Sequence, residues 1–263
     1  MILIKKFLLV VLILILILIG ISNNKTHKQK SNNWNKITYY KPENLNRYEN
    51  YKKKNPTKSL EQIVTEVNIG IDIPFYSSIK QANIQNSYYV LVNKYNYLNK
   101  NFVPKNLVKI DNTKLDIIAA REFENMRKEA KSENLNIVAI SGYRSYEYQD
   151  NLYNKYVEHD SKEKADTYSA RPGHSEHQTG LAVDISDGKK AYTEFQNTKE
   201  FEWMQKNAYK FGFILRYPKE KEYITGYVYE SWHYRYVGLE IALYIKKHNI
   251  TFDEYYVKFI AKN

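Results

Sequence analysis

Apolar residues recur every three or four positions in several parts of the chain, a spacing that places them on one face of a helix. The pattern predicts a helix over residues 113–131. Its apolar face consists of Leu115, Ala119, Phe123, Met126 and Ala130. A second helix is predicted over residues 146–158, because the Ser145 hydroxyl can accept a hydrogen bond from its first turn. A third helix should begin after Thr198 and end at Gly212.

Short apolar runs lie between these helices and predict strands. The predicted strands cover residues 88–93, 137–140, 181–185 and 227–237. Residues 160–176 are polar and are expected to form a loop, whereas the pattern at 239–248 predicts a last helix. Because helices and strands do not alternate regularly, the order of elements favours the α+β fold class.

The chain begins with a long apolar segment. Lys5 and Lys6 are followed by fifteen apolar-type residues that end at Ile21. A helix of this length is too short for the ~30 Å hydrocarbon core of a bilayer, unless the apolar residues before the lysines extend it. Residues 1–22 are therefore predicted to be either a signal anchor or a cleaved signal peptide, and both alternatives imply export.

Charge divides the rest of the chain into two regions. The 263 residues carry a formal charge of +11, and residues 23–60 contribute ten Lys or Arg side chains against two Glu. Residues 61–263 contain 28 basic and 27 acidic side chains and are nearly neutral. Residues 23–58 show no helical or strand period, which predicts a basic low-complexity tether that is extended or disordered. Residues 59–263 form the predicted domain.

The position of the basic residues excludes one class of function. A nucleic-acid-binding domain carries its basic patch on the folded surface, whereas here the positive charge precedes the predicted domain. We therefore expect no nucleic-acid partner. A basic tether suits a polyanionic surface such as anionic lipid or wall polymer, and the apolar N-terminal segment predicts contact with a membrane.

The chain contains no cysteine and six histidines, so a metal must be bound by imidazole and carboxylate groups. His177 and Asp184 lie seven residues apart, and Glu230 and His233 lie three apart. Hydrolysis at a zinc ion needs three protein ligands and a carboxylate that can take a proton from water. His177, Asp184 and His233 are therefore candidate zinc ligands, and Glu230 is the candidate base.

Residue types alone leave other interpretations open. His174 is a rival ligand, Asp184 could form a turn or a salt bridge, and His233 could be a core histidine. Residues three apart on a regular strand face opposite sides, so Glu230 and His233 can share a site only if the chain bends between them. Three histidines are expected to lie outside any site: His27, His159 and His248.

Four segments around these residues closely resemble the VanY-type D-alanyl-D-alanine carboxypeptidases, which are zinc peptidases of bacterial cell-wall metabolism. The segments are SGYRSYEYQ (141–149), ARPGHSEHQTGLAVD (170–184), GFILRYP (212–218) and ESWHYRYVG (230–238). They occur in the family's order, and the resemblance covers roughly residues 85–245.

The resemblance implies a fold and a set of site residues. The fold would be a small central antiparallel sheet flanked by helices, as in hedgehog N-terminal domains. The apolar N-terminal segment of the sequence places a hydrophobic helix before it. His177, Asp184 and His233 match the zinc ligands. Glu230 matches the catalytic base, and Arg144 matches the arginine that faces the scissile carbonyl and the substrate carboxylate. Positions that contact the terminal D-alanine are matched by Gln149, Ser175 and Tyr217.

The function that the resemblance implies is zinc-dependent removal of the C-terminal D-alanine from peptidoglycan stem peptides, by an enzyme expected to be a monomer. We favour a D,D-carboxypeptidase, which trims pentapeptides. The alternatives are an L,D-carboxypeptidase that trims tetrapeptides, a peptidoglycan endopeptidase, and a non-hydrolytic wall-binding module. The protein would be anchored in the membrane and face the cell wall, or be secreted if the signal is cleaved.

Overall fold

The computed structural model describes residues 33–261, together with Ile15 and Ile17. The described chain forms two compact units, which adjoin in sequence between Val64 and Thr65. The predicted signal segment, and with it the N-terminal hydrophobic helix, lies outside the continuously described residues. Within the described part of the chain, no helix combines the length and the apolar character needed to cross a membrane.

The first unit contains a folded segment where the sequence predicts a tether. A short 3₁₀ turn at Pro42–Asn44 leads into helix α1, Leu45–Lys54. The ring of Tyr48, which is fully buried, lies 5.5 Å from the ring of Trp34. The prediction of an extended or disordered chain is therefore wrong for these residues, because scattered aromatic rings supply a small apolar cluster that average composition does not reveal. Helix α2, Leu60–Ile69, follows.

The second unit is built around a small antiparallel sheet, as the family resemblance implies. Its four strands are β5 (Val138–Ser141), β6 (Ala182–Ser186), β7 (Phe213–Leu215) and β8 (His233–Tyr236). They are hydrogen-bonded in the order β5-β6-β8-β7. Two further strand pairs lie earlier in the chain: parallel β1 (Lys80–Gln81) with β2 (Asn96–Tyr97), and antiparallel β3 (Leu107–Ile110) with β4 (Thr113–Asp116).

The helices of the second unit after α2 include two that begin at predicted caps. Their bounds are α3 (Ile117–Ser132), α4 (Tyr146–His159), α5 (Lys162–Ala165), α6 (Lys199–Asn207), α7 (Glu222–Thr225), α8 (Leu239–His248) and α9 (Phe252–Tyr255). The Ser145 hydroxyl accepts a hydrogen bond from the Tyr148 backbone, and the Thr198 hydroxyl accepts one from the Phe201 backbone. Both predicted N-caps are confirmed. A 3₁₀ turn, Ala208–Phe211, continues the chain from helix α6 to Gly212, which ends the third predicted helix in the left-handed conformation.

The two faces of the central sheet differ in chemistry. Val183 and Ile185 of β6, and Tyr234 of β8, point into the main apolar core. Phe123 of helix α3 packs against this face, with its ring 6.2 Å from that of Phe213. Because side chains alternate along a strand, the residues between these core positions point to the opposite face. That opposite face carries the charged residues of β6 and β8.

The strand predicted over residues 88–93 is corrected by tertiary contacts. Residues 88–93 do not form a strand: Ile84–Tyr89 is a 3₁₀ helix. The carbonyl oxygens of Tyr88 and Val90 instead accept hydrogen bonds from Nη2 of Arg235, at 3.1 and 2.8 Å. A buried guanidinium thus satisfies backbone groups that a strand partner would otherwise bind.

The other corrections concern element ends. The helix predicted over 113–131 begins only at Ile117, because Thr113–Asp116 is strand β4 and the Asp116 carboxylate caps the helix at Ile118 N. The strand predicted over 227–237 is confined to β8. The chain turns just before it, where His233 N donates to Glu230 O at 3.4 Å. The required bend between Glu230 and His233 is therefore present.

We predict that residues 59–263 fold and act without residues 1–58. Such a chain retains helix α2 and the whole second unit, which contains every candidate site residue. It should give a cooperative thermal unfolding transition, bind zinc and hydrolyse the same soluble peptide as the full chain. A soluble truncated protein that lacks activity would show that the boundary at residue 58 is wrong.

Candidate active site

Strand register brings the candidate ligands together. Asp184 on β6 pairs with His233 on β8 and, on its other side, with Ser141 on β5. Directly paired residues point to the same face of a sheet, here the face opposite the core. His177 lies on a short 3₁₀ helix, Glu176–Thr179, whose first turn is capped by the Ser175 hydroxyl.

The three candidate ligands form a compact group. One ligand atom from each of His177, Asp184 and His233 lies within 4.8 Å of the others, and all three residues are buried. Nε2 of His177 is 3.3 Å from Oδ2 of Asp184, and Nδ1 of His233 is 3.1 Å from Oδ1. Nδ1 of His177 lies 2.7 Å from the carbonyl oxygen of Gly142, which it can contact only as a donor. Nε2 of neutral His177 therefore carries the electron pair of the ring, which is what a metal binds.

The donor set fits zinc. Two imidazole nitrogens and a carboxylate are ligands that zinc uses in catalytic sites. Among the described residues, the buried Oδ1 of Asp184 makes no hydrogen bond of good geometry, so its electron pairs remain available. Oδ2 of Asp184 and Nε2 of His177 both face Nη2 of Arg144, at 2.5 and 3.0 Å. These two ligand atoms therefore point their electron pairs at the same position, where a positive charge is stabilised.

Burial and neighbouring charges set the protonation of the ligands. Burial, followed by the charge of Arg144, lowers the pKa of His177 to about 4. Burial opposes ionisation of Asp184, but His177 and Arg144 outweigh it and hold its pKa well below the usual value. Burial also disfavours charged His233, yet the carboxylates of Asp184 and Glu176 raise its pKa to about 9. Metal binding at this imidazole must therefore release a proton.

Glu230 lies beside the ligand group without belonging to it. Its Oε2 is 3.7 Å from Nδ1 of His233, and its backbone N–H is fixed by the carbonyl of Tyr217. Burial, which is the largest effect, raises the pKa of Glu230 to about 8. A carboxyl group that titrates near neutral pH can both accept and return a proton.

Besides its contacts with the two ligands, Arg144 is held by residues of strand β5 and helix α4. Its Nε donates to the hydroxyl of Ser141 at 2.9 Å, and its Nη1 donates to Oε1 of Gln149 at 3.4 Å. The Gln149 amide is anchored in turn on the carbonyl of Ala170, at 2.8 Å. Gln149 is only 2% exposed, so it is not an ordinary surface residue of helix α4.

The remaining predicted residues adjoin the same group. The Ser175 hydroxyl accepts from the backbone N–H of His177, and the ring of Tyr217 packs 4.8 Å from that of His233. All eight residues singled out in the sequence line one cavity of about 480 Å³. The structure therefore brings together every predicted site residue. They are Arg144, Gln149, Ser175, His177, Asp184, Tyr217, Glu230 and His233.

The other described histidines lie elsewhere. Nδ1 of His174 contacts the carbonyl oxygen of Asn93 at 2.8 Å, and His174 does not belong to the group of possible metal ligands formed by the described residues. The side chain of His159 is 85% exposed beside Asp160, and His248 stacks on Tyr244. His27 lies outside the described residues.

Two contributors were missed in the sequence. Gly142 supplies the carbonyl that orients His177, and a Cβ at this position would lie 2.3 Å from the carbonyl oxygen of Lys114. Glu176 is buried against the ligand group, with Oε2 3.7 Å from Nε2 of His233. Their only signal in the sequence is their position inside two of the motifs.

A buried His, Asp and His group beside a buried glutamate, at one face of a small antiparallel sheet, defines a zinc metallopeptidase site. A family model described as VanY, D-alanyl-D-alanine carboxypeptidase, matches residues 112–239. The Bacillus subtilis protein YodJ, a carboxypeptidase by name, is 40% identical over an alignment of 207 positions, which covers 72% of this chain and 76% of the relative. The chain belongs to the VanY family of zinc carboxypeptidases.

Solved structures agree with this assignment. The LD-carboxypeptidase LdcB superimposes with a TM-score of 0.63 and 40% identity, over 69% of this chain and 91% of that chain. A D,D-pentapeptidase VanY from a VanB-type resistance cassette, solved with Zn(II), gives a TM-score of 0.59 and 34% identity, over 65% and 99%. The neighbours thus include enzymes of both specificities.

We predict one zinc per chain. Elemental analysis of the purified protein should give about one equivalent, because three ligands and a place for water complete a catalytic zinc site. Changing His177→Ala and His233→Ala together should abolish stoichiometric zinc, since one carboxylate remains. Retention of one equivalent by the double variant would refute the ligand assignment.

We also predict that Gly142→Ala damages the site through the backbone. The added Cβ would meet the carbonyl of Lys114, so the chain must shift and take the Gly142 carbonyl away from His177. Stability should fall by about 1–3 kcal/mol, as in overpacked sites, and zinc affinity should weaken. Denaturant unfolding and chelator competition measure the two effects. Wild-type values for both would contradict this role for Gly142.

Proposed function

We propose that this zinc carboxypeptidase removes the C-terminal D-alanine from pentapeptide stems of peptidoglycan, as a D,D-carboxypeptidase. The observation that carries the proposal is the convergence of eight motif residues on one cavity, in a chain matched by the family model of D-alanyl-D-alanine carboxypeptidases. An intact Glu230 beside the ligand group argues against a wall-binding module without activity.

The residues of the cavity supply most of the steps. A zinc ion held by His177, Asp184 and His233 would polarise a carbonyl and acidify water. The Glu230 carboxylate takes a proton from the attacking water and returns it to the departing amine of D-alanine. The peptide C–N bond breaks, a C–O bond forms, and the proton needed by the amine comes from the water that attacks.

Arg144 supports a preference for substrates that end in a free C-terminal carboxylate. It is the one Lys or Arg among the described residues that line the cavity. A planar guanidinium binds a carboxylate through two parallel hydrogen bonds. A free C-terminal carboxylate beside Arg144 is therefore stabilised, whereas the continuing chain of an endopeptidase substrate offers no charge there. The arrangement favours a carboxypeptidase over an endopeptidase.

An L,D-carboxypeptidase is the second candidate. The similarity to LdcB supports it, as does a cavity of about 480 Å³, which leaves room for a long side chain before the terminal D-alanine. In tetrapeptide stems that preceding residue is long, whereas in pentapeptide stems it is a second D-alanine.

We also propose that the enzyme works outside the cytoplasm, next to the wall. The apolar segment after Lys5 and Lys6 supports export, and the basic residues that follow suit a polyanionic surface. Cell fractionation with an antibody to the second unit tests this. Recovery of the protein in the cytoplasm would contradict it.

Digestion of purified stem peptides tests the specificity. Pentapeptide, tetrapeptide and cross-linked dimer stems are incubated separately with the enzyme, and the products are analysed by mass spectrometry. Loss of one alanine from the pentapeptide alone supports the D,D activity. Loss from the tetrapeptide alone supports the L,D activity, and cleavage of the dimer alone supports an endopeptidase. A fully zinc-loaded enzyme that cleaves none of them would support the binding module.

We predict that Glu230→Gln removes the base but keeps its shape. Zinc content and peptide binding should stay near the wild-type values, whereas kcat should fall by about 10²–10⁴-fold, the usual contribution of a general base. Steady-state kinetics and a zinc assay on the same preparation measure this. A variant with wild-type kcat would exclude Glu230 from proton transfer.

We predict that Arg144→Lys raises KM and lowers kcat together. Lysine keeps the charge but cannot bond Ser141, Gln149 and a carboxylate in one plane. The loss of kcat should reach up to about 10²-fold if the same side chain also stabilises the developing oxyanion. An increase in KM alone would restrict Arg144 to substrate binding, and unchanged kinetics would remove it from the site.

A further inference from the structure

Glu176 is a buried carboxylate that the proposed reaction does not use. Its side chain is fully buried, between the ligand group and two arginines. Oε1 accepts hydrogen bonds from Nε of Arg216 at 2.8 Å and from Nη1 of Arg235 at 2.9 Å. Oε2 has no hydrogen-bond partner within the described residues and lies 3.7 Å from Nε2 of His233.

The two nitrogens of the His233 ring have different surroundings. Its Nδ1 faces Asp184 and Glu230, and therefore the metal site. Its buried Nε2 likewise lacks a hydrogen bond among the described residues. A ring nitrogen and a carboxylate oxygen that both lack partners thus face each other. They need to approach by less than about 1 Å to form a hydrogen bond, and an unmade bond between buried groups is costly.

We propose that Glu176 is a positioning residue for the metal site: its Oε2 accepts the Nε2–H of His233 and so keeps Nδ1 unprotonated for zinc. Metal-binding histidines usually donate their second ring nitrogen to a carboxylate or carbonyl, which fixes the tautomer and the ring orientation. Gly142 performs this task for His177 through Nδ1. The two histidines therefore bind the metal through different nitrogens.

The two arginines explain why a carboxylate is required. They hold Oε1, so only Oε2 can turn toward His233. In a Glu176→Gln variant the amide oxygen stays with the arginines, because they can only donate. The amide NH₂ then faces Nε2 of His233 and favours the tautomer with the proton on Nδ1. That proton occupies the electron pair that zinc needs.

The same cluster contains a matched control. Asp253 accepts from Nη1 of Arg216 at 2.6 Å and from the Asn93 amide at 2.8 Å. Asp253→Asn removes one negative charge from the same buried cluster, with the same change of shape, but at a residue bonded to Arg216 and Asn93. It reproduces the electrostatic and packing damage of Glu176→Gln without altering the partner of His233.

Zinc affinity measured by chelator competition tests the proposal without substrate, so its failure is independent of which stem peptide the enzyme cleaves. Glu176→Gln should bind zinc about 10–100-fold more weakly, the usual effect of removing such a partner. Asp253→Asn should lose stability but keep its affinity nearly unchanged. Equal losses in both variants, or no loss in Glu176→Gln, would overturn the proposal.

A measurement on the wild-type protein decides the matter even if Glu176→Gln fails to fold. Long-range ¹H–¹⁵N spectra of the zinc-loaded protein report which ring nitrogen of each histidine carries a proton. We expect a proton on Nε2 of His233, shifted downfield and slow to exchange, and a proton on Nδ1 of His177. Zinc on Nε2 of His233, or an Nε2 proton with the shift of an unbonded imidazole, would refute the role of Glu176.

Discussion

The pairing of Asp184 with His233 across two antiparallel strands is the constraint on which the site depends. The register that sets these residues side by side also sends Val183 and Tyr234 into the apolar core on the opposite face. A slip of one residue would place charged groups in the core and apolar groups at the metal. Core packing and ligand geometry are thus two consequences of one register, and neither can change without the other.

Buried charge fixes the surroundings of this pair. Arg216 joins Glu176 to Asp253, and Arg235 joins Glu176 to the main chain at Val90. Buried ion pairs add little net stability, because desolvation offsets much of their attraction, but removing one partner is costly. Here the ion pairs fix positions instead. One cluster of charged side chains joins strand β8, the short helix that carries His177, and helix α9.

The features that sequence could predict are those decided by neighbouring residues. The caps at Ser145 and Thr198 depend on the next three residues, and both are found. The wrong strand prediction at 88–93 and the missed role of Glu176 both depend instead on contacts with residues far away in the sequence. The arginines that bind Glu176 lie 40 and 59 positions away. The motif resemblance supplied site residues that periodicity alone could not, but it gave no reason to examine the glutamate between two of them.

Arg235 binds the segment at Tyr88 and Val90 by donating hydrogen bonds to two main-chain carbonyl oxygens. Every amino acid carries the same carbonyl group, so this contact specifies the path of the chain and is indifferent to the side chains attached to it. The segment lies before the region matched by the family model. Relatives can therefore diverge in sequence there while keeping the same anchorage, and alignment scores would then understate how closely such proteins share their structure.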